Sequence, residues 1–194
     1  LYPNKNFSEK LFNNSLPRYF SANSLSIKSD KSLVRVLDKT QEEKIINKIK
    51  LAKKKGDTLG GTFITVATGL PVGLGSFMNY DTKLDAEIAK SIMSINAVKA
   101  VEIGEGFLLA DKFGSKSHDE IILQKDFIGR KTNRAGGIEG GVSTGLPIIV
   151  RAAMKPIATL MSPIESVDLS TMKKVDARRE RSDFVAVPAC SVIS

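Results

Sequence analysis

A chain of 194 residues, 42% hydrophobic and 26% charged, can bury the core of one soluble globular domain or form part of a larger one. No apolar run approaches the roughly 18 residues of a membrane-crossing helix, Cys190 excludes an internal disulfide framework, and the lone His118 argues against a zinc site, so a soluble protein of a reducing compartment is expected. The net charge of +8 leaves two classes of partner to be weighed, nucleic acid and small polyanions.

Residues 1–33 are rich in Asn, Ser and Lys and show no helical or strand period, so they read as an irregular arm. A Ser-rich, acid-poor leader also fits an organelle transit peptide, the less favoured reading. Val34 to Leu37 is expected as a short strand. Thr40 and Glu43 have the spacing of a capping box, which opens a helix carrying Ile45, Ile46, Ile49 and Ala52 on one face. Gly56 stops that helix. Lys50, Lys53, Lys54 and Lys55 crowd its end, where a helix favours cations, and no stacking aromatics accompany them. A nucleic-acid module is therefore not favoured.

Gly60 to Thr68, GGTFITVAT, is rich in β-branched residues and predicts a strand, and Gly69 to Gly75 is a tight loop. Leu84, Ile88, Ala89, Ile92 and Ile95 recur at helical spacing. Val98 to Ile103 predicts a strand, Gly104-Glu-Gly106 a turn, and Phe107 to Ala110 a second strand. Residues 111–131 are polar and hold His118 beside Asp119. The pair reads as a base with its orienting carboxylate, or as a loop side chain bonded to its neighbour. With no nucleophile in view, the loop reading is preferred. After a strand at 146–154, a hairpin-like excursion runs from Leu160 to Met172, then a charged stretch from Lys173 to Asp183. Phe184 to Pro188 is expected as a last strand or turn.

Thr132 to Thr159 is the stretch that carries chemistry. Gly136, Gly137, Gly140, Gly141 and Gly145 stand beside Asn133, Arg134, Ser143 and Thr144, and an apolar run then delivers Lys155 and Pro156. Successive backbone N–H groups in such turns make concave nests for anionic oxygens. A glycine web backed by a strand that ends in lysine points to a phosphorylated ligand. The general motifs are absent: there is no G-x-x-x-x-G-K-S/T loop, no third glycine after Gly104 and Gly106, no G-x-S-x-G elbow and no H-E-x-x-H.

Five collinear blocks resemble the chorismate synthases over roughly Val34 to Ser194. They are Lys55-Gly-Asp-Thr-Leu-Gly-Gly61, Gly69-Leu-Pro-Val-Gly-Leu-Gly75, Lys83-Leu-Asp-Ala86, the stretch MSINAVKAVEIGEGF from Met93 to Phe107, and TNRAGGIEGG taken with MKPIAT and Arg181-Ser-Asp183. The resemblance implies an α/β (α+β) fold of the family's β-α-β sandwich type, with residues 34–194 as the C-terminal half of one domain and 1–33 as an arm or variable loop. It implies reduced FMN as cofactor, contacted by Asn96, Ala97, Gly140, Lys155, Pro156, Ile157, Ala158, Thr159 and Arg181. Catalytic roles fall to Arg181, at flavin and substrate phosphate, and to Asp183, near the flavin N5. Family members carry Thr or Ser where this chain has Ile157 and Ala158, which leaves backbone N–H groups to make those contacts.

The same resemblance implies anti-1,4 elimination of phosphate from 5-enolpyruvylshikimate 3-phosphate, giving chorismate for aromatic amino acid biosynthesis. It implies a homotetramer in a bacterial cytoplasm or, less favoured, a plastid, with no nucleic acid or membrane as partner. Flavin reduction would come from an intrinsic NADP-linked activity or from a separate flavin reductase. The family's G-E-S-H-G motif, its second histidine block and its R-G-G-G-R-S-S loop do not occur in this sequence. The 194 residues are therefore expected to lack turnover, and a non-catalytic flavin- or anion-binding remnant is the alternative.

Overall fold

The structure is a computed structural model that describes Phe12 and residues 22–124, 127–180 and 183–193. Its centre is an antiparallel sheet of β1 (Gly61–Ala67), β7 (Ile148–Met154) and β2 (Val98–Ile103), in the order β1-β7-β2. The strand that comes last in sequence lies in the middle. Gly61 pairs with Met154 and Ala67 with Ile148 on one side of β7, while Val98 pairs with Met154 and Ile103 with Val150 on the other, across an irregularity between Val98 and Ala100. A central strand covered on both faces reads as a continuous apolar run rather than an alternation, and Ile148, Ile149, Val150 and Ala152 are all buried. Phe63, Ile92, Val98, Ile148, Val150, Ala152 and Cys190 form the main core, and Ile149 meets Phe12, Ile64 and Val66 in a second cluster.

The described residues include five α-helices, α1 (Ala22–Ser29), α2 (Lys39–Lys55), α3 (Leu84–Met93), the short α4 (Gly114–Ser117) and α5 (Val187–Ile193), of which α3 packs on β2 and α5 on β1. Leu84 and Ile88 of α3 pack on the core, as their spacing predicts. None of these helices is long and apolar enough to cross a membrane. Three two-stranded hairpins complete the fold: β3–β4 (Ile121–Gln124, Phe127–Arg130), β5–β6 (Ile138–Glu139, Val142–Ser143) and β8–β9 (Glu165–Asp168, Lys173–Asp176).

Several expectations need correction. Val34 to Leu37 is not a strand, because Arg35 has φ 55, a left-handed conformation that cannot continue extended chain. The cap of α2 is Asp38 rather than Thr40: its carboxylate accepts the N–H groups of Thr40 at 2.7 Å and Gln41 at 3.3 Å. Gly56 does end the helix, with φ 67 and the paired bonds of a Schellman motif, Asp57 N–H to Ala52 and Gly56 N–H to Lys53. Residues 22–29 form helix α1, so the arm is regular there; residues 1–11 and 13–21 lie outside the described residues.

Phe107 belongs to a 3-10 turn over Gly106–Leu109, since Gly104 and Gly106 both take positive φ and curl the chain into i→i+3 bonds. The polar segment before the glycine web contains hairpin β3–β4, and the expected excursion runs on into the charged stretch to form β8–β9. At the end of the chain Val185 makes a single parallel bridge to Leu59. The last element is helix α5, with Pro188 in its first turn.

Candidate cofactor site

The glycine web is first a packing device. Gly136 N–H donates to Asn133, and Ile149 N–H donates to the Gly136 carbonyl, so the web lies against the start of β7. A Cβ on Gly136 would sit 2.3 Å from the Gly104 nitrogen, a contact that only two glycines permit. Asp119 fixes the front of the web. Its buried carboxylate accepts Thr132 Oγ1 at 2.5 Å, Arg134 N–H at 2.7 Å and Ala135 N–H at 2.9 Å. This carboxylate is turned to the web, and His118 beside it is exposed. His118 thus lies in a loop, as one reading had it, but the Asp119 carboxylate that both readings paired with it is bonded to the web instead.

Arg134 does not reach outward as a free anion ligand either. It pairs at 2.9 Å with Glu105, a buried carboxylate that Lys112 also contacts. On the far side, buried Ser143 laces the web to the Gly69–Gly75 loop. Its hydroxyl donates to Pro71 at 2.5 Å and accepts Leu74 N–H at 2.9 Å, while its carbonyl accepts Gly73 N–H at 2.8 Å. Gly140, at the tip of β5–β6, behaves differently. It has φ 60, and a Cβ there would meet nothing within 4 Å. Of the glycines in the web it is the one with open space in front of it.

At the other end of β7 lie the other predicted residues that the structure describes. Asn96 is exposed in the turn between α3 and β2, and Ala97 follows it with φ 68, rare for a residue with a side chain. The Ala97 carbonyl accepts Lys155 N–H at 2.9 Å, joining the two blocks. Lys155, Pro156 and Ala158 are exposed and Ile157 and Thr159 are half-buried. The Ile157 carbonyl accepts the Thr58 hydroxyl at 2.6 Å, and Leu59 N–H donates to Phe184 at 2.8 Å, next to exposed Asp183. The Gly-Asp-Thr-Leu-Gly-Gly block thus ties the Lys155–Thr159 loop to the segment that carries Asp183. Arg181 lies outside the described residues.

Gly140 belongs to the opposite end of this arrangement. The Gly141 carbonyl accepts the N–H of Leu84, the first residue of α3, whereas Ala97 follows the last turn of that ten-residue helix. Such a helix is about 15 Å long, so the predicted contacts form two groups separated by roughly that length. Sequence reasoning missed Thr58, Asp119 and Glu105 as anchors. Thr58 and Glu105 stand inside the quoted blocks, and Asp119 was weighed only as a partner for His118. Among the described residues no three His, Cys, Asp or Glu side chains are grouped to hold a metal ion.

An antiparallel sheet backed by helices, with a glycine web at one end of its central strand and a lysine loop at the other, defines a mixed α/β protein. Comparison with known proteins narrows that class. The chorismate synthase family model matches residues 11–194, and the chain belongs to that family. It is 54% identical over 174 residues to chorismate synthase of Prosthecochloris aestuarii, covering 89% of this chain and 44% of that relative. It is 50% identical over 175 residues to chorismate synthase 1 of Bacillus anthracis, covering 90% of this chain and 45% of that relative. A crystal structure of chorismate synthase superposes with a TM-score of 0.71 at 39% identity, over 88% of this chain and 44% of the other. The chain thus spans about half the length of the relatives it matches, and corresponds to their C-terminal half.

Proposed function

We propose that this chain forms the FMN-binding wall of a chorismate synthase, acting on 5-enolpyruvylshikimate 3-phosphate to eliminate phosphate and give chorismate. The bond from Lys155 N–H to the Ala97 carbonyl carries the reading, because it unites the two blocks that in the family line the flavin. The donor set suits the ligand. Exposed Lys155 offers a cation to a phosphate, exposed Asn96 offers a carboxamide to polar ring edges, and the open face of Gly140 leaves room for close approach.

Reduced FMN, when bound, supplies electron density that assists departure of the allylic phosphate. The chain's own residues bind and orient. Lys155 and Arg181 would offset phosphate charge, the Lys155–Thr159 backbone would hold the ribityl-phosphate arm, and the Asp183 carboxylate would accept a proton from the flavin N5 and return it as the carboxylic acid. The intact enzyme is proposed as a homotetramer of the bacterial cytoplasm, with flavin reduced by its own NADP-linked activity or by a separate reductase.

Since the chain spans about half of its relatives' length, we assign to these 194 residues cofactor binding without turnover, which is also what a non-catalytic flavin-binding remnant would do. Fluorescence titration of the purified chain with FMN tests the binding and should show saturable quenching that Lys155→Ala weakens. Chorismate formed from the substrate and reduced FMN would refute the absence of turnover. A chain that leaves FMN fluorescence unchanged would refute the cofactor reading.

A further inference from the structure

Thr58 is buried and 99 positions away in sequence from the residue it holds. Its hydroxyl donates to the Ile157 carbonyl at 2.6 Å, and its own N–H is taken by the Asp57 carboxylate at 2.7 Å. The two residues after it grip the same region. Leu59 is bonded to Phe184, and a Cβ on Gly60 would lie 2.4 Å from the Met154 carbonyl and 3.0 Å from the Pro156 nitrogen, so Gly60 permits the close approach of the two segments.

Ile157 and Ala158 carry no polar side-chain atom, so anion recognition along this part of the loop falls to backbone N–H groups. Across a planar trans peptide the carbonyl of one residue and the N–H of the next point in opposite directions. Drawing the Ile157 carbonyl inward to Thr58 therefore turns the Ala158 N–H away from the buried side, and Ala158 is exposed.

We infer that Thr58 is a positioning residue for the anion-binding loop. Its buried hydroxyl fixes the Ile157–Ala158 peptide plane so that the Ala158 N–H faces the ligand's phosphate. This rests on the proposed FMN reading of the site. Thr58→Val keeps the shape and removes the donor, and Thr58→Ser keeps the donor.

In FMN titrations of the 194-residue chain, Thr58→Val should bind about tenfold more weakly and Thr58→Ser within about twofold of the parent, the loss expected for one buried hydrogen bond. Amide hydrogen exchange without ligand should quicken at Lys155, whose N–H is bonded to the Ala97 carbonyl at the root of the same loop, in Thr58→Val while β1 and β7 stay protected. If Thr58→Val does not fold, Thr58→Ala takes its place in both measurements. Equal affinity of the Val and parent chains, or a Ser variant as weak as Val, would overturn the inference. Unchanged exchange at Lys155 would overturn the tether itself. A parent chain that ignores FMN would sink the cofactor reading and the binding half of this inference, with exchange alone then deciding the tether.

Discussion

The N–H of Lys155 meets the carbonyl of Ala97 at 2.9 Å, and Ala97 holds φ 68 to make that bond. An alanine in the left-handed region costs roughly 1–2 kcal/mol, against about 0.5–1 kcal/mol for the added chain entropy of glycine. Ala97→Gly should therefore leave stability unchanged or raise it by about 0.5 kcal/mol. Ala97→Val, whose branched side chain tolerates positive φ poorly, should lower it by about 2 kcal/mol. Urea midpoints of the three chains check this, and a Val variant as stable as the parent would mean that the turn relaxes elsewhere.

The glycines of the web should separate by substitution. Gly136→Ala sets a Cβ 2.3 Å from the Gly104 nitrogen as well as forcing a positive φ, and should cost about 3 kcal/mol or more. Gly140→Ala meets no neighbour, so its cost should be only the strain of roughly 1–2 kcal/mol. Under the FMN reading the same methyl group obstructs the ligand, so Gly140→Ala should lose more affinity than stability. Thermal unfolding and FMN titration of the two variants compare the two effects directly.

Asp119 and His118 are neighbours with opposite expected sensitivities. Asp119→Ala removes a buried acceptor that serves Thr132, Arg134 and Ala135 and leaves three half-buried donors without it, which should cost about 3 kcal/mol. His118 is exposed, and His118→Ala should change stability by less than about 0.5 kcal/mol. Denaturant unfolding of both variants tests the assignment. A large loss at His118 would mean that the ring, rather than the carboxylate, anchors the web.

The elements with strong period were legible: β1 and β7 through their β-branched and apolar runs, and α3 through Leu84, Ile88 and Ile92. The start of α2 was misread because Asp38 and Thr40 are both capping types, and the backbone of Asp38, extended at φ −113, decides between them. Short apolar runs such as Phe107 to Ala110 do not distinguish a strand from a 3-10 turn. Hairpin β3–β4 was overlooked although Ile121, Ile122, Leu123, Phe127 and Ile128 are strand-forming types, because the two short runs sit among polar residues and no turn dipeptide joins them. At the candidate site, the blocks named residues one by one and said nothing of how the fold groups them. That Ala97 meets Lys155 while Gly140 lies a helix length away follows from the middle position of β7, a long-range pairing no local pattern encodes.

Cys190 offers a probe of the whole core. It lies 2% exposed among Phe63, Val150 and Ala152, and burial raises its thiol pKa above the ordinary 9.0, because the thiolate would be stranded among apolar groups. With the folded pKa above the unfolded one, the stability linked to this thiol is fully present below pH 9.0. It declines as pH rises through that value toward the folded pKa, since the unfolded chain then releases its proton first. Urea midpoints should accordingly fall above pH 9 in the parent chain and fall less in Cys190→Ala. A thiol reagent at pH 8 should label the native chain slowly, and the labelling rate should rise with urea alongside unfolding itself. Fast labelling without denaturant would mean that α5 detaches from the sheet on its own, and with it the wall that carries Leu59 and Phe184.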